Sequence, residues 1–166
     1  MKRIKNIILI GMPGCGKSTL TRALGRKLGR DDFDCDEYVR ATAGMSIADI
    51  FAREGEYGFR LRETRALEAL CAGDGCVIAA GSGCVTREEN YPLLRRNSTV
   101  FWLRREPLLF PQDGRLLPRA REAKELYEAR KPLYERFADV AIDNDGTVEE
   151  TMQKIISCLE NGTEDR

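Results

Sequence analysis

The feature that most constrains this chain is a strand, a glycine-rich loop and a helix in immediate succession. Asn6-Ile7-Ile8-Leu9-Ile10 runs straight into Gly11-Met12-Pro13-Gly14-Cys15-Gly16-Lys17-Ser18. Leu20, Ala23, Leu24 and Leu28 then recur at helical spacing, and Gly29 ends the helix. The unbroken apolar run suits a parallel strand buried on both faces. The loop fits G-x-x-x-x-G-K-[ST] in the context that gives this pattern meaning. Its glycines let the backbone turn tightly and aim N–H groups at an anion, and the helix start adds its positive dipole end. Lys17 supplies a full charge for β- and γ-phosphates, and Ser18 a hydroxyl for Mg²⁺. The alternative is a glycine-rich turn that binds nothing. Cys15 has two readings: a thiol made acidic by the nearby cation and helix start, or a small residue that fits.

Beyond this unit, short apolar runs keep alternating with helical stretches. Phe33 marks a second strand leading to Asp34 and Asp36. Ser46, with Asp49 three residues on, opens a helix that places Ile47, Ile50 and Phe51 on one face. A separate, longer helix is expected from about Glu56 to Ala72, with Leu67 and Leu70 inward and Gly73 and Gly75 as breakers. Cys76 to Ala80 reads as a third strand, followed by Gly81-Ser82-Gly83. Thr86 with Glu89 is the signature of a capping box for a helix burying Leu93 and Leu94. Ser98 to Leu103 reads as the fourth strand, and Arg105 to Leu117, with Pro107, Pro111 and Gly114, as a loop. A polar helix is expected to break or end before Pro132. Val140 to Ile142 is the fifth strand. Thr147 and Glu150 cap a last helix with Val148, Met152, Ile155, Ile156 and Leu159 on its apolar face. This alternation predicts one α/β domain over residues 1–166, with a parallel sheet covered on both faces.

Composition removes several functions. Basic and acidic residues each number 27, so global charge gives no attraction to nucleic acid or an anionic membrane. The apolar run Ile7 to Ile10 is too short to span a bilayer, and Gly11 ends it before a secretory core can form, so a cytoplasmic location is expected. With no histidine, Ser-His-Asp and Cys-His catalysis are excluded. The six cysteines form no CxxC pair and read as small buried thiols rather than metal ligands. No N-K-x-D string is present to read guanine, and Asp143-Asn144-Asp145-Gly146 matches D-x-x-G only by chance spacing, after the last strand. Val77-Ile78-Ala79-Ala80 lacks the acidic end of a motor ATPase strand.

A second constellation begins in the first crossover after the loop. Asp34-Cys35-Asp36 follows the second strand, where carboxyl ends of a parallel sheet bind ligands. Carboxylates at i and i+2 on an extended segment point the same way, one toward a metal's water shell and one toward substrate hydroxyls; standing alone, the pair would read instead as a helix N-cap and a solvated acid. Phe59-Arg60-Leu61-Arg62-Glu63 contains F-R-x-x-E, and Arg130-Lys131-Pro132-Leu133-Tyr134 contains R-x-P-L-Y. With the phosphate loop and Gly81-Ser82-Gly83, these elements resemble the shikimate kinase family in order and approximate spacing, from Ile7 to about Leu159.

The resemblance implies a P-loop NTPase-type three-layer α/β/α fold with a five-stranded parallel sheet. It implies phosphorylation of the 3-hydroxyl of shikimate by ATP, a step toward chorismate and the aromatic amino acids. Gly11, Gly14, Cys15, Gly16, Lys17, Ser18 and Thr19 would then bind ATP, with Ser18 and Asp34 serving Mg²⁺. Asp36 would receive the substrate hydroxyls and act as general base, with Lys17 and Arg115 completing the catalytic set. Arg60 and Arg130 would pair with the substrate carboxylate, Glu63 would hold Arg60, and Gly81, Ser82 and Gly83 would approach the ring. Arg115 would sit on a lid at about residues 105–121 and bind ATP by closing over its phosphates. Arg62, Arg119 and Arg121 read as solvated helix charges, with a contribution to the lid as the alternative for Arg119. The chain departs from the family at Ser82 and Ala80, where glycine and threonine are usual, at Leu116, where proline is usual, and in a shorter stretch before Arg115. The implied partners are shikimate and ATP, with no nucleic acid or membrane, acting on a monomer. Two alternatives stand beside this reading: a kinase for another small hydroxylated acid, and a nucleotide-binding regulator that has lost turnover.

Overall fold

The structure, a computed structural model, describes residues 3–105 and 120–162. Five strands form one parallel sheet: β1 (Asn6–Ile10), β2 (Asp32–Asp34), β3 (Val77–Ala79), β4 (Ser98–Arg104) and β5 (Val140–Asp143), in the order β2-β3-β1-β4-β5. β1 is central, and all five of its residues are buried, which is why it carries a continuous apolar run. Asn6 is the polar exception. Its side chain donates to the Gly73 carbonyl at 2.8 Å and accepts from the Cys76 amide at 2.9 Å, so its burial is satisfied.

The register places Leu9 beside Ala79 and Ala79 beside Asp34, so β1, β3 and β2 reach their carboxyl ends level with one another. The chain turns one way from β1 to β3 and β2, and the other way to β4 and β5. That reversal opens a crevice at the carboxyl edge next to β1.

The helices are α1 (Lys17–Leu28), α2 (Cys35–Ala43), α3 (Ile47–Leu70), α4 (Asn90–Arg95), α5 (Ala120–Phe137) and α6 (Val148–Asn161). They cover the sheet as α1 with α6, and as α3 and α4 with α5 through a short 3₁₀ turn at Cys84–Thr86. None of the described helices is long and apolar enough to cross a membrane.

Three local expectations are corrected. The helices expected on either side of Gly55 are one element, α3, broken only at that glycine, whose φ of 69° is left-handed. Ser46 caps its start through the Asp49 amide, as the sequence predicts. Arg62, read as a solvated helix charge, is one: at the surface it spans the break with a fork onto Glu54 at 2.7 and 3.0 Å. Thr86 does not cap α4. Its hydroxyl donates to the Gly83 carbonyl at 2.7 Å, and α4 begins only at Asn90, which is buried and held by Thr64 and the Cys84 carbonyl.

Pro132 does not end α5, which continues to Phe137. An interior proline costs about 3 kcal/mol. Beyond it, Tyr134 and Phe137 are fully buried, each contributing about 1.5–3 kcal/mol, so packing offsets the break. The Thr147–Glu150 capping box of α6 is formed from both sides.

Candidate active site

The level ends of β1, β3 and β2 border a cavity of about 910 Å³. The phosphate loop lines one side through Gly14, Gly16, Lys17, Ser18 and Thr19. Asp34, Asp36, Arg60, Glu63, Ala80 and Ser82 line the other. Phe51 and Phe59, with ring centroids 4.7 Å apart, add an apolar stretch of wall.

On the loop side, Gly16 has a φ of 100°, a conformation open to glycine and strained for other residues. It leads directly into α1. Lys17 Nζ donates to the carbonyls of Gly11 and Met12 at 2.8 and 2.9 Å, and lies 3.7 Å from Cys15 Sγ. Gly11 and Cys15 are buried beneath the loop rather than on the cavity wall. A Cβ on Gly11 would stand 2.8 Å from the Leu103 carbonyl and 2.9 Å from Cys15 Sγ. Cys15 thus serves as the small packed residue. All six cysteines are free thiols.

Ser18 Oγ donates to Asp34 Oδ2 at 2.5 Å. Asp34 is also the N-cap of α2, its Oδ1 accepting from the amides of Asp36 and Glu37 at 2.9 and 3.3 Å. The expectation of two carboxylates on one extended segment is therefore corrected. β2 ends at Asp34, and Asp36 reaches the cavity from the first turn of a helix. No group of three or more His, Cys, Asp or Glu side chains placed to hold a metal ion is found among the described residues. The Ser18–Asp34 pair nonetheless fits Mg²⁺, which is content with a few hard protein oxygens and takes the rest from water and phosphate.

The Asp36 carboxyl is pushed above the ordinary aspartate range, first by burial and then by the neighbouring Asp34 charge; Lys17, Arg40 and Arg60 oppose the rise. A carboxylate so placed is a stronger base than a solvated one. Its Oδ1 is buried without a hydrogen-bond partner among the described residues.

On the acceptor side, Arg60 Nη1 donates to Glu63 Oε1 at 3.0 Å, with Glu56 3.6 Å from Nη2. Glu63 is fully buried, and that burial raises its carboxyl while the Arg60 charge pulls it back. The pair fixes one edge of the guanidinium and leaves Nε buried without a partner among the described residues. Gly81 and Gly83 are buried, outside the cavity lining, and pack closely. A Cβ at Gly83 would collide with the Arg60 guanidinium, and one at Gly81 with the Glu63 carboxylate. Ser82 is tolerated because no non-glycine residue here has a positive φ. Arg130 does not line the cavity itself, but its charge acts on Glu63 and Tyr134, and its Nη1 is another buried atom without a partner among the described residues. Arg115, Leu116, Arg119 and most of the expected lid lie outside the described residues.

Two contributors escape the sequence reading. The Phe51–Phe59 wall is one, although period-3.6 spacing already placed Phe51 on a face with Ile47 and Ile50. The other is Tyr134, whose phenol donates to the Ser82 carbonyl at 2.6 Å while its ring stacks on Trp102 at 5.7 Å. Nothing local to either sequence signals that contact.

Known proteins resemble this chain in sequence and fold. The family model described as shikimate kinase matches residues 13–160. A shikimate kinase of Symbiobacterium thermophilum is 40% identical, over 95% of this chain and 99% of its own. One from Marinomonas sp. is also 40% identical, over 87% of this chain and 86% of its own. The solved shikimate kinase of Acinetobacter baumannii, in complex with shikimate, superposes with a TM-score of 0.89 at 32% identity, covering 96% of this chain and 94% of that one. A match of that extent in sequence, joined to one of the same extent in structure, makes this chain a member of the shikimate kinase family.

Proposed function

We propose that the chain transfers the γ-phosphoryl group of ATP to the 3-hydroxyl of shikimate, within the pathway to the aromatic amino acids. The observation that carries the proposal is the meeting of the phosphate loop, Asp36 and the Arg60–Glu63 pair around one cavity. The loop amides and Lys17 hold the β- and γ-phosphates. Ser18, with Asp34 behind it, holds Mg²⁺, which when bound neutralises charge on the phosphates. Arg60 and Arg130 take the acceptor carboxylate, and their unpaired buried N–H groups support that role. The Phe51–Phe59 wall packs the ring.

Asp36 accepts hydrogen bonds from the acceptor hydroxyls and takes the proton of the attacking one. Phosphoryl transfer has a loose transition state, so the proton leaves late and the residues act chiefly by positioning and charge. Arg115, in this reading, neutralises charge from the lid. The balance of 27 basic and 27 acidic residues supports the further part of the proposal, that no polyanion is a partner.

The test is ADP release coupled to a detectable reaction, over a panel of small hydroxylated acids including shikimate. Preference for shikimate is expected. Preference for another acid points to the alternative acceptor, and absence of ADP release with every acid points to the non-catalytic regulator.

A further inference from the structure

Asn144 lies 129 residues from Cys15 in sequence, yet its Nδ2 donates to the Cys15 carbonyl at 2.6 Å. Its Oδ1 accepts from Thr151 Oγ1, also at 2.6 Å. A carbonyl can only accept, so Nδ2 must face Cys15, and the Thr151 hydroxyl then completes the other end of the amide. Thr151 is fully buried, one turn into α6, whose start is fixed by the Thr147–Glu150 capping box. The Asn144 backbone is itself tied down, its N–H donating to the Arg104 carbonyl at 2.8 Å. The contact is also close-packed: a Cβ at Gly16 would stand 2.9 Å from Nδ2.

From this geometry we infer that Asn144, backed by Thr151, is a positioning residue for the phosphate loop. The peptide between Cys15 and Gly16 is planar and trans, so its C=O and N–H point in opposite directions. Holding the Cys15 carbonyl toward α6 turns the Gly16 N–H toward the cavity that Gly16 lines. Asn144 touches no reacting atom. It sets the aim of a backbone donor and removes the freedom of the peptide to flip, which preorganises the loop for an anion. The Asp143–Gly146 stretch, which carries no guanine-reading or switch function by its motif, has this role through one side chain.

The inference rests on the nucleotide reading of the loop and not on the identity of the acceptor. The test is calorimetric titration of the full chain with ADP, and separately with shikimate. Asn144→Ala should weaken ADP binding about tenfold, the upper range for one hydrogen bond, with shikimate affinity unchanged. Thr151→Val should weaken ADP binding less, and Thr151→Ser should restore it. The double variant Asn144→Ala with Thr151→Val should resemble Asn144→Ala alone, because both act through one contact.

Unchanged ADP affinity in a folded Asn144→Ala variant would overturn the inference, as would equal losses of ADP and shikimate affinity. Should Asn144→Ala fail to fold, the Thr151→Val and Thr151→Ser pair decides: equal ADP affinity in the two overturns it, and a loss confined to valine upholds it. A parent chain with no ADP affinity would remove the nucleotide reading itself, and this inference with it.

Discussion

The two sides of the cavity are built on different principles. The phosphate side draws its working groups, mostly backbone N–H donors, from one continuous stretch, with glycines giving the turns and Asn144 bracing it from outside. The acceptor side is assembled from α2, α3, α5 and the segment after β3, and its working groups are side chains. On the acceptor side, Asp36, Arg60, Glu63 and Arg130 each bury a polar atom that has no partner among the described residues. On the phosphate side, Lys17 and Ser18 are occupied by hydrogen bonds. Anion binding by backbone needs little sequence beyond the turn, whereas acceptor recognition needs several rigid elements to hold costly buried groups in place.

The largest test of this division is Asp36→Asn. It should lower turnover by about 10²–10⁴-fold, the range for loss of a general base, with ADP affinity retained by calorimetry. Asp34→Asn should instead raise the Mg²⁺ concentration needed for half-maximal rate. Rescue of the Asp36 variant by excess Mg²⁺, without rescue of the other, reverses the two assignments.

Next in size is Arg60→Ala, which leaves Glu63 buried without its partner. Acceptor binding should weaken by about 2–5 kcal/mol, and nucleotide binding should not change. Equal losses of both ligands at unchanged thermal stability would merge the two sides into one.

A smaller effect is expected from Tyr134→Phe, which keeps the stack on Trp102 but leaves the Ser82 carbonyl without its donor. A stability loss of about 1 kcal/mol by urea unfolding should accompany a raised KM for the acceptor, with the KM for ATP unmoved. A raised KM for ATP would mean that Tyr134 does not act through the Ser82 segment.

The smallest effect concerns pH. Burial favours the neutral Asp36 carboxyl, and the base must be ionised, so the acid limb of kcat/KM should lie above the ordinary aspartate range. Arg40 favours the ionised form, so Arg40→Gln should move that limb further up, and a downward movement would contradict the assignment. For stability the sign is fixed by the same shift. The folded chain holds this proton more tightly than the unfolded one, so the contribution is full below the unfolded pKa and is lost as pH rises through the folded value.

Most of the fold and the phosphate side were legible because their signals are local. The strand run, the glycines and the caps at Ser46 and Thr147 each act within a few residues. The acceptor roles were legible only through resemblance, since no short-range rule brings Arg60 beside Gly83 or Tyr134 beside Ser82. Where local rules misled, a longer-range contact had won. Pro132 was overridden by the burial of Tyr134 and Phe137, and the Thr86 hydroxyl was taken by Gly83 before it could cap α4.

The level ends of β1, β3 and β2 also fix a length. Neighbouring strands stand about 4.8 Å apart, a spacing set by backbone hydrogen bonds. The phosphate loop leaves the first of these strands, the acceptor segment at Gly81 the second and the Asp34–Asp36 pair the third. The sheet is therefore a ruler for the gap between phosphoryl donor and acceptor. Exchanging side chains can retune charge, basicity or ring size around that gap, but its width is graduated in whole strands. To widen or close it, the chain would have to change its strand order or slip its register.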